Sequence, residues 1–239
     1  MNKGKLIGLG IGPGDPELIT VKAVEVIKNA NVICIPRSKN RDDSIAFEIV
    51  KPYIGDTQIV NMVYSMSPEY EARKPYWERH AQTICELSDK GLTIAFVTIG
   101  DPCIYSTFAY IMRLVRLKRP PLSIEIIPGI TSIAASAAFM QRSIAQAEES
   151  LTIQPCSQVI QKSRNWWHDF NCVIIMKIGR KFSRLVDRLN TLELLPGSIL
   201  ISRVGFSNSS IIRGEELVHC SKDIGYLATL FVYPNSEEN

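Results

Sequence analysis

The sequence predicts an α/β protein built as two α/β lobes with a ligand cleft between them. Three observations carry this. Apolar strand-like runs alternate with helical stripes along most of the chain. Glycine-rich turns follow the strands, at Gly8-Leu-Gly10-Ile-Gly12-Pro13-Gly14-Asp15-Pro16 and again at Thr98-Ile99-Gly100-Asp101-Pro102. The helical pattern breaks near the middle, at Lys118-Arg119-Pro120-Pro121, where two prolines cannot continue a helix. Lobes of residues 1–119 and 122–239 follow, each of ordinary domain size.

Residues 5–11 read as the first strand, and 16–29 as a helix with Asp15 as N-cap and Pro16 in its first turn. Residues 31–35 form a second, β-branched strand; the polar, basic stretch 36–43 reads as a loop, and 44–51 as a helix. A longer helix spans 67–89, with Trp77, Ala81 and Ile84 on one face and Gly91 beyond its end. The short continuous apolar run 92–98 suits a strand buried on both faces. Ile104, Tyr105, Phe108, Ile111, Met112 and Val115 then fall at helical spacing. The N-terminal lobe is therefore mainly a parallel sheet.

The second lobe opens with a strand at 123–127, and Pro128-Gly129-Ile130-Thr131-Ser132 turns into an alanine-rich helix reaching about Gln141. Residues 151–154 and 172–176 are strands, and Phe182, Leu185, Val186, Leu189 and Leu192 make a helical stripe. Three last strands, 199–204, 210–213 and 226–233, have no helices between them, which predicts antiparallel pairing and a mixed sheet.

Composition narrows the function. A net charge of +3 over 239 residues lacks the dense basic stripe of a nucleic-acid binder. No apolar run approaches the roughly 18 residues of a membrane helix. The start, Met1-Asn-Lys-Gly-Lys5, makes a poor signal peptide. The six cysteines include no C-x-x-C pair and no zinc spacing. Reduced thiols in a cytoplasmic protein, with no metal site, are expected.

The first glycine run fails as a dinucleotide fingerprint. Counted from Gly8, Pro13 stands where the last glycine belongs; counted from Gly10, Asp15 does, and a carboxylate there repels a pyrophosphate. The run is either a tight turn or a turn lining a ligand. Gly100-Asp101-Pro102 reads as a helix N-cap with Pro at the first position, and Gly100 also permits close approach of a ligand to the backbone.

In order, Gly-x-Gly-x-Gly-Asp-Pro, Thr-x-Gly-Asp-Pro-x-x-Tyr-Ser-Thr, Pro-Gly-Ile-Thr-Ser and Met-Lys-x-Gly-Arg resemble the tetrapyrrole methyltransferases, from about Gly4 to Tyr233. Within that family the likeness is greatest to the branch acting at C20 of precorrin-2 or cobalt-precorrin-2 in cobalamin biosynthesis. Its marks are Pro36-Arg37-Ser38, Ser44-Ile-Ala, Tyr105-Ser-Thr107, Glu149-Ser-Leu and Met176-Lys-Ile-Gly-Arg180. The resemblance implies S-adenosylmethionine as cofactor, S-adenosylhomocysteine as product, and a homodimer. It implies a cofactor pocket of Ile99, Gly100, Asp101, Ile104, Thr131, Ser132, Met176, Val204, Gly205 and Ala228. Gly12, Pro13, Gly14, Arg37 and Tyr105 would meet the tetrapyrrole, with Asp15 the candidate to steer a pyrrole N–H.

A substrate with multiple carboxylates calls for basic side chains at the rim, either Arg37, Lys39 and Arg41 or Lys177 and Arg180. Methylation of another ring carbon of a corrin or sirohaem precursor is the alternative within the family. A non-catalytic tetrapyrrole carrier and a nucleotide-dependent oxidoreductase are the readings outside it; the failed fingerprint argues against the latter.

Overall fold

A computed structural model describes residues 4–39, 44–65, 67 and 69–235. The chain forms two compact units, Met1–Thr131 and Ser132–Asn239.

The first unit is a five-stranded, wholly parallel sheet of β1 (Lys5–Gly10), β2 (Val32–Ser38), β3 (Gln58–Tyr64), β4 (Thr93–Thr98) and β5 (Ser123–Ile127), in the order β3-β2-β4-β1-β5. Helices cover both faces, so the central strands are apolar on both sides. Helices α1 (Val21–Asn29) and α2 (Ile45–Val50) pack on Ile7, Leu9, Ile33, Ile35, Ala95 and Val97. Helices α3 (Tyr70–Asp89) and α4 (Phe108–Lys118) pack on Leu6, Val32, Cys34, Ile94 and Phe96.

The strand at 123–127 belongs to this sheet, paired in register beside β1, so the first unit runs past Pro120-Pro121. The proline pair ends α4 but not the unit. The fold differs from the sequence reading at four further places. The helix expected over 16–29 is a 3-10 turn, Pro16–Leu18, then α1, because Thr20 accepts from the amide of Ala23 and starts a new helix. β2 continues through Pro36, Arg37 and Ser38, because β3 supplies a partner there that the loop reading lacked. β3 itself is absent from the sequence reading. The helix after the second glycine turn begins at Phe108, not Ile104: Tyr105 has φ 49°, outside any helix.

The second unit is a mixed sheet of β6 (Leu151–Pro155), β7 (Cys172–Met176), β8 (Ser198–Ser202), β9 (Ser210–Arg213) and β10 (Ala228–Val232), in the order β6-β7-β10-β8-β9. β6 and β7 are parallel and the other pairs antiparallel; β8 pairs antiparallel with β9 and β10 as the sequence predicts, although two 3-10 helices, Gly214–His219 and Lys222–Gly225, lie between β9 and β10. Beyond α5 (Ser132–Phe139), α6 (Cys156–Val159) and α7 (Arg164–His168), α8 (Phe182–Thr191) lays its Phe182, Leu185, Val186 and Leu189 stripe on Val173, Ile175, Leu200, Leu230 and Val232. All six cysteines are free thiols. No helix among the described residues is long and apolar enough to cross a membrane.

Candidate functional site

In the first unit, β1 leads by α1 toward β2 on one side, while β4 leads by α4 toward β5 on the other. Loops leaving the adjacent ends of β1 and β4 therefore diverge, which opens the crevice where parallel sheets hold ligands. Both glycine turns sit at this point. The backbone closes them together: the amide of Ile11 donates to the Thr98 carbonyl (3.1 Å) and that of Gly100 to the Gly12 carbonyl (2.7 Å).

Three glycines from three strand ends meet there. A Cβ on Gly10 would lie 2.5 Å from the nitrogen of Gly129 and 2.8 Å from the carbonyl oxygen of Gly100. A Cβ on Gly129 would lie 2.8 Å from Gly10 Cα, and closer still to that same oxygen. Gly100 differs: with φ at +72°, a Cβ on it would meet nothing within 4 Å. The strand ends are thus in backbone contact beside a cradle open at Gly100.

Asp101 ties the loops. One carboxylate oxygen accepts from the Cys103 amide (2.7 Å), the other from the Gly129 amide (3.0 Å). It therefore caps a turn rather than α4, whose N-cap position is Thr107. Asp101→Ala is expected to cost about 2 kcal/mol, since two amides lose their acceptor. Asp101→Asn keeps one acceptor oxygen and should lose about half as much; urea unfolding midpoints check both. Ser106 fixes the far side of the loop through Thr98 Oγ1 (2.9 Å), leaving Ile104 (37 %) and Tyr105 (40 %) exposed. Gly12, Pro13 and Gly14 are buried. Asp15 accepts from the Glu17 amide (2.9 Å), capping the 3-10 turn. Arg37 lies half-buried on β2, Lys39 is exposed just beyond it, and Arg41 lies outside the described residues.

In the second unit, the end of β7, the end of β8 and the start of β10 share one sheet edge, since Leu230 pairs with Ile175 and Ala228 with Ser202. Met176, Val204, Gly205 and Ala228 are all brought to this edge. Three non-glycine residues in the left-handed region stand beside them: Lys177 (φ 56°), Arg203 (φ 53°) and Leu227 (φ 53°). Each costs on the order of 1 kcal/mol, and such strain gathers where a backbone is shaped for a ligand. Ser132, which opens α5, shares a hydrogen bond with buried Thr229 (3.2 Å) and so fixes α5 to β10. The sequence reading missed Thr229, although a lone hydroxyl in the apolar run Ala228-Thr-Leu-Phe-Val232 was its signal. Arg180 is exposed just past the same edge. Among the described residues, no three His, Cys, Asp or Glu side chains gather as a metal site.

Glycine loops at the switch point of a parallel sheet stand where α/β proteins hold small-molecule ligands. The family described as Tetrapyrrole (Corrin/Porphyrin) Methylases matches residues 5–216. A protein of Methanocaldococcus jannaschii named as a probable cobalt-precorrin-2 C(20)-methyltransferase is 36% identical over 90% of this chain and 90% of its own. The cobalt-precorrin-2 C(20)-methyltransferase of Salmonella typhimurium is 26% identical over 96% of each. In fold, the uroporphyrin-III C-methyltransferase of Thermus thermophilus complexed with S-adenosylhomocysteine matches with a TM-score of 0.67 and 16% identity, covering 96% of this chain and 97% of that one. The chain belongs to the tetrapyrrole methylases.

Proposed function

We propose that this protein transfers the methyl group of S-adenosylmethionine to C20 of cobalt-precorrin-2, releasing S-adenosylhomocysteine, as a step of cobalamin synthesis. The observation that carries this is the 36% identity, spread over nine-tenths of both chains, to the relative of that name. The open cradle at Gly100 supports the cofactor, since a group can lie against the backbone there without meeting a side chain. The absence of a glycine fingerprint for a pyrophosphate agrees with a cofactor that has none.

When bound, the cofactor supplies an electrophilic methyl on a sulfonium. The protein's share is alignment, which can contribute on the order of 7–11 kcal/mol. Ile99, Gly100, Asp101, Ile104, Thr131, Ser132, Met176, Val204, Gly205 and Ala228 are the proposed cofactor contacts, as the family likeness suggests. The Asp101 carboxylate acts by holding the Cys103 and Gly129 amides in place. Gly12, Pro13, Gly14 and Tyr105 line the tetrapyrrole. Asp15 retains acceptor capacity beyond its bond to Glu17 and receives a pyrrole N–H. Arg37 grips a substrate carboxylate, helped by Lys39; Lys177 and Arg180 are the second basic pair. We also propose a homodimer in the cytoplasm, a reading that the family likeness supports.

Calorimetric titration with S-adenosylhomocysteine should give micromolar binding, with none for NAD. The purified protein should then move a labelled methyl from S-adenosylmethionine to cobalt-precorrin-2, with the label found at C20 by carbon NMR. Label at another ring carbon would overturn the C20 assignment, and binding of NAD in place of S-adenosylhomocysteine would overturn the cofactor. Arg37→Ala should raise KM for the tetrapyrrole about tenfold, the size of one charge-assisted hydrogen bond, and leave S-adenosylhomocysteine affinity unchanged.

A further inference from the structure

β2 outruns its sheet. It pairs with β4 only from Val32 to Cys34, but with β3 from Val32 to Ser38. The amide of Lys39 extends that pairing by donating to the Tyr64 carbonyl (3.0 Å). Residues 36–38 therefore have β3 as their strand neighbour and nothing of β4. β3 is the outer strand of the sheet and is thinly buried, with Met62 its one fully buried side chain. Something else must fix where its end lies.

That anchor is on α3. His80, 6 % exposed, makes a 2.7 Å hydrogen bond between Nε2 and the Val63 carbonyl. A carbonyl only accepts, so Nε2 carries the proton. The Tyr64 ring meets the imidazole edge-on, with centroids 4.7 Å apart. Val63 is the register partner of Arg37 across the β2–β3 pair. Burial pushes the His80 pKa below its ordinary 6.5, with Arg79 adding to the effect and the Val63 bond opposing it.

We propose that His80 is a positioning residue for substrate recognition: through the Val63 carbonyl it holds the end of β3, and with it the β2 overhang, at the register that presents Arg37 to a substrate carboxylate. This rests on the reading of Arg37 as a substrate-binding residue. The side chain never touches substrate, so its effect must pass through Arg37.

The test uses the full chain and reads KM for cobalt-precorrin-2, kcat, S-adenosylhomocysteine affinity and the urea midpoint. His80→Asn stops one bond short of Val63, and His80→Leu fills the volume without a donor; His80→Gln restores an amide N–H at the reach of Nε2. Asn and Leu should raise KM about fivefold, with cofactor affinity within about twofold of wild type, and Gln should recover most of the loss. Combined with Arg37→Ala, His80→Asn should add nothing, because both act through one contact. The proposal is overturned if His80→Asn and His80→Leu leave KM unchanged while Arg37→Ala raises it, if the effects of His80→Asn and Arg37→Ala multiply, or if Gln is no better than Leu. An unchanged KM in Arg37→Ala alone overturns the Arg37 reading itself, and the role of His80 falls with it.

Discussion

Gly129→Ala is expected to cost about 3 kcal/mol of stability, the upper part of the range for forcing a methyl into a packed site. The new Cβ would stand 2.8 Å from Cα of Gly10 and nearer to the carbonyl oxygen of Gly100. All of these are backbone atoms, so no rotamer change relieves the overlap. Relief requires β5 to withdraw from β1, which would also pull the Gly129 amide from Asp101. Urea unfolding should show a lower midpoint with little change in slope. Gly55→Ala is the control, since a methyl there meets nothing within 4 Å. Equal midpoints for the two variants would show that the three strand ends are not in close backbone contact.

Gly100→Ala should behave in the opposite way. Its methyl meets no atom within 4 Å, so the fold pays only for a left-handed alanine, on the order of 1–2 kcal/mol. The methyl instead occupies the cradle. S-Adenosylhomocysteine affinity should fall at least about tenfold, as expected when a group that relied on close approach to the backbone is held off. Calorimetry on folded protein checks this, with the midpoint measured alongside. A variant that binds as tightly as wild type would remove Gly100 from the cofactor contacts. The two glycines lie one contact apart, yet one substitution reads out stability and the other binding.

Much of this was legible in the sequence. Thr93–Thr98 and Cys172–Met176 are continuous apolar runs, and such runs state their own burial. The stripe on Phe182–Thr191 named its buried face, and the lack of a helical stripe in the sequence after Ser198 foretold antiparallel pairing. What escaped depends on partners distant in sequence. Gln58–Tyr64 is an edge strand with a mixed burial pattern, and it is a strand because β2 lies beside it. The stripe from Ile104 looked helical, but Ser106 binds Thr98 and starts the helix later. The glycine turns pointed to the ends of β1 and β4; that Gly10, Gly100 and Gly129 touch there, and that both Asp101 oxygens bind backbone amides, are facts of three dimensions. His80 carried no signal beyond being a histidine on the apolar side of a helix.

The placement of β5 decides how this protein can be dissected. The proline pair at 120–121 looks like the natural place to cut. A fragment ending there would lose the strand that covers one side of β1, leaving a run of Leu, Ile and glycine with open hydrogen-bonding groups. Such an edge recruits strands from other chains and tends toward insoluble material. A fragment carried on to Thr131 keeps all five strands, and with them the glycine that closes the site.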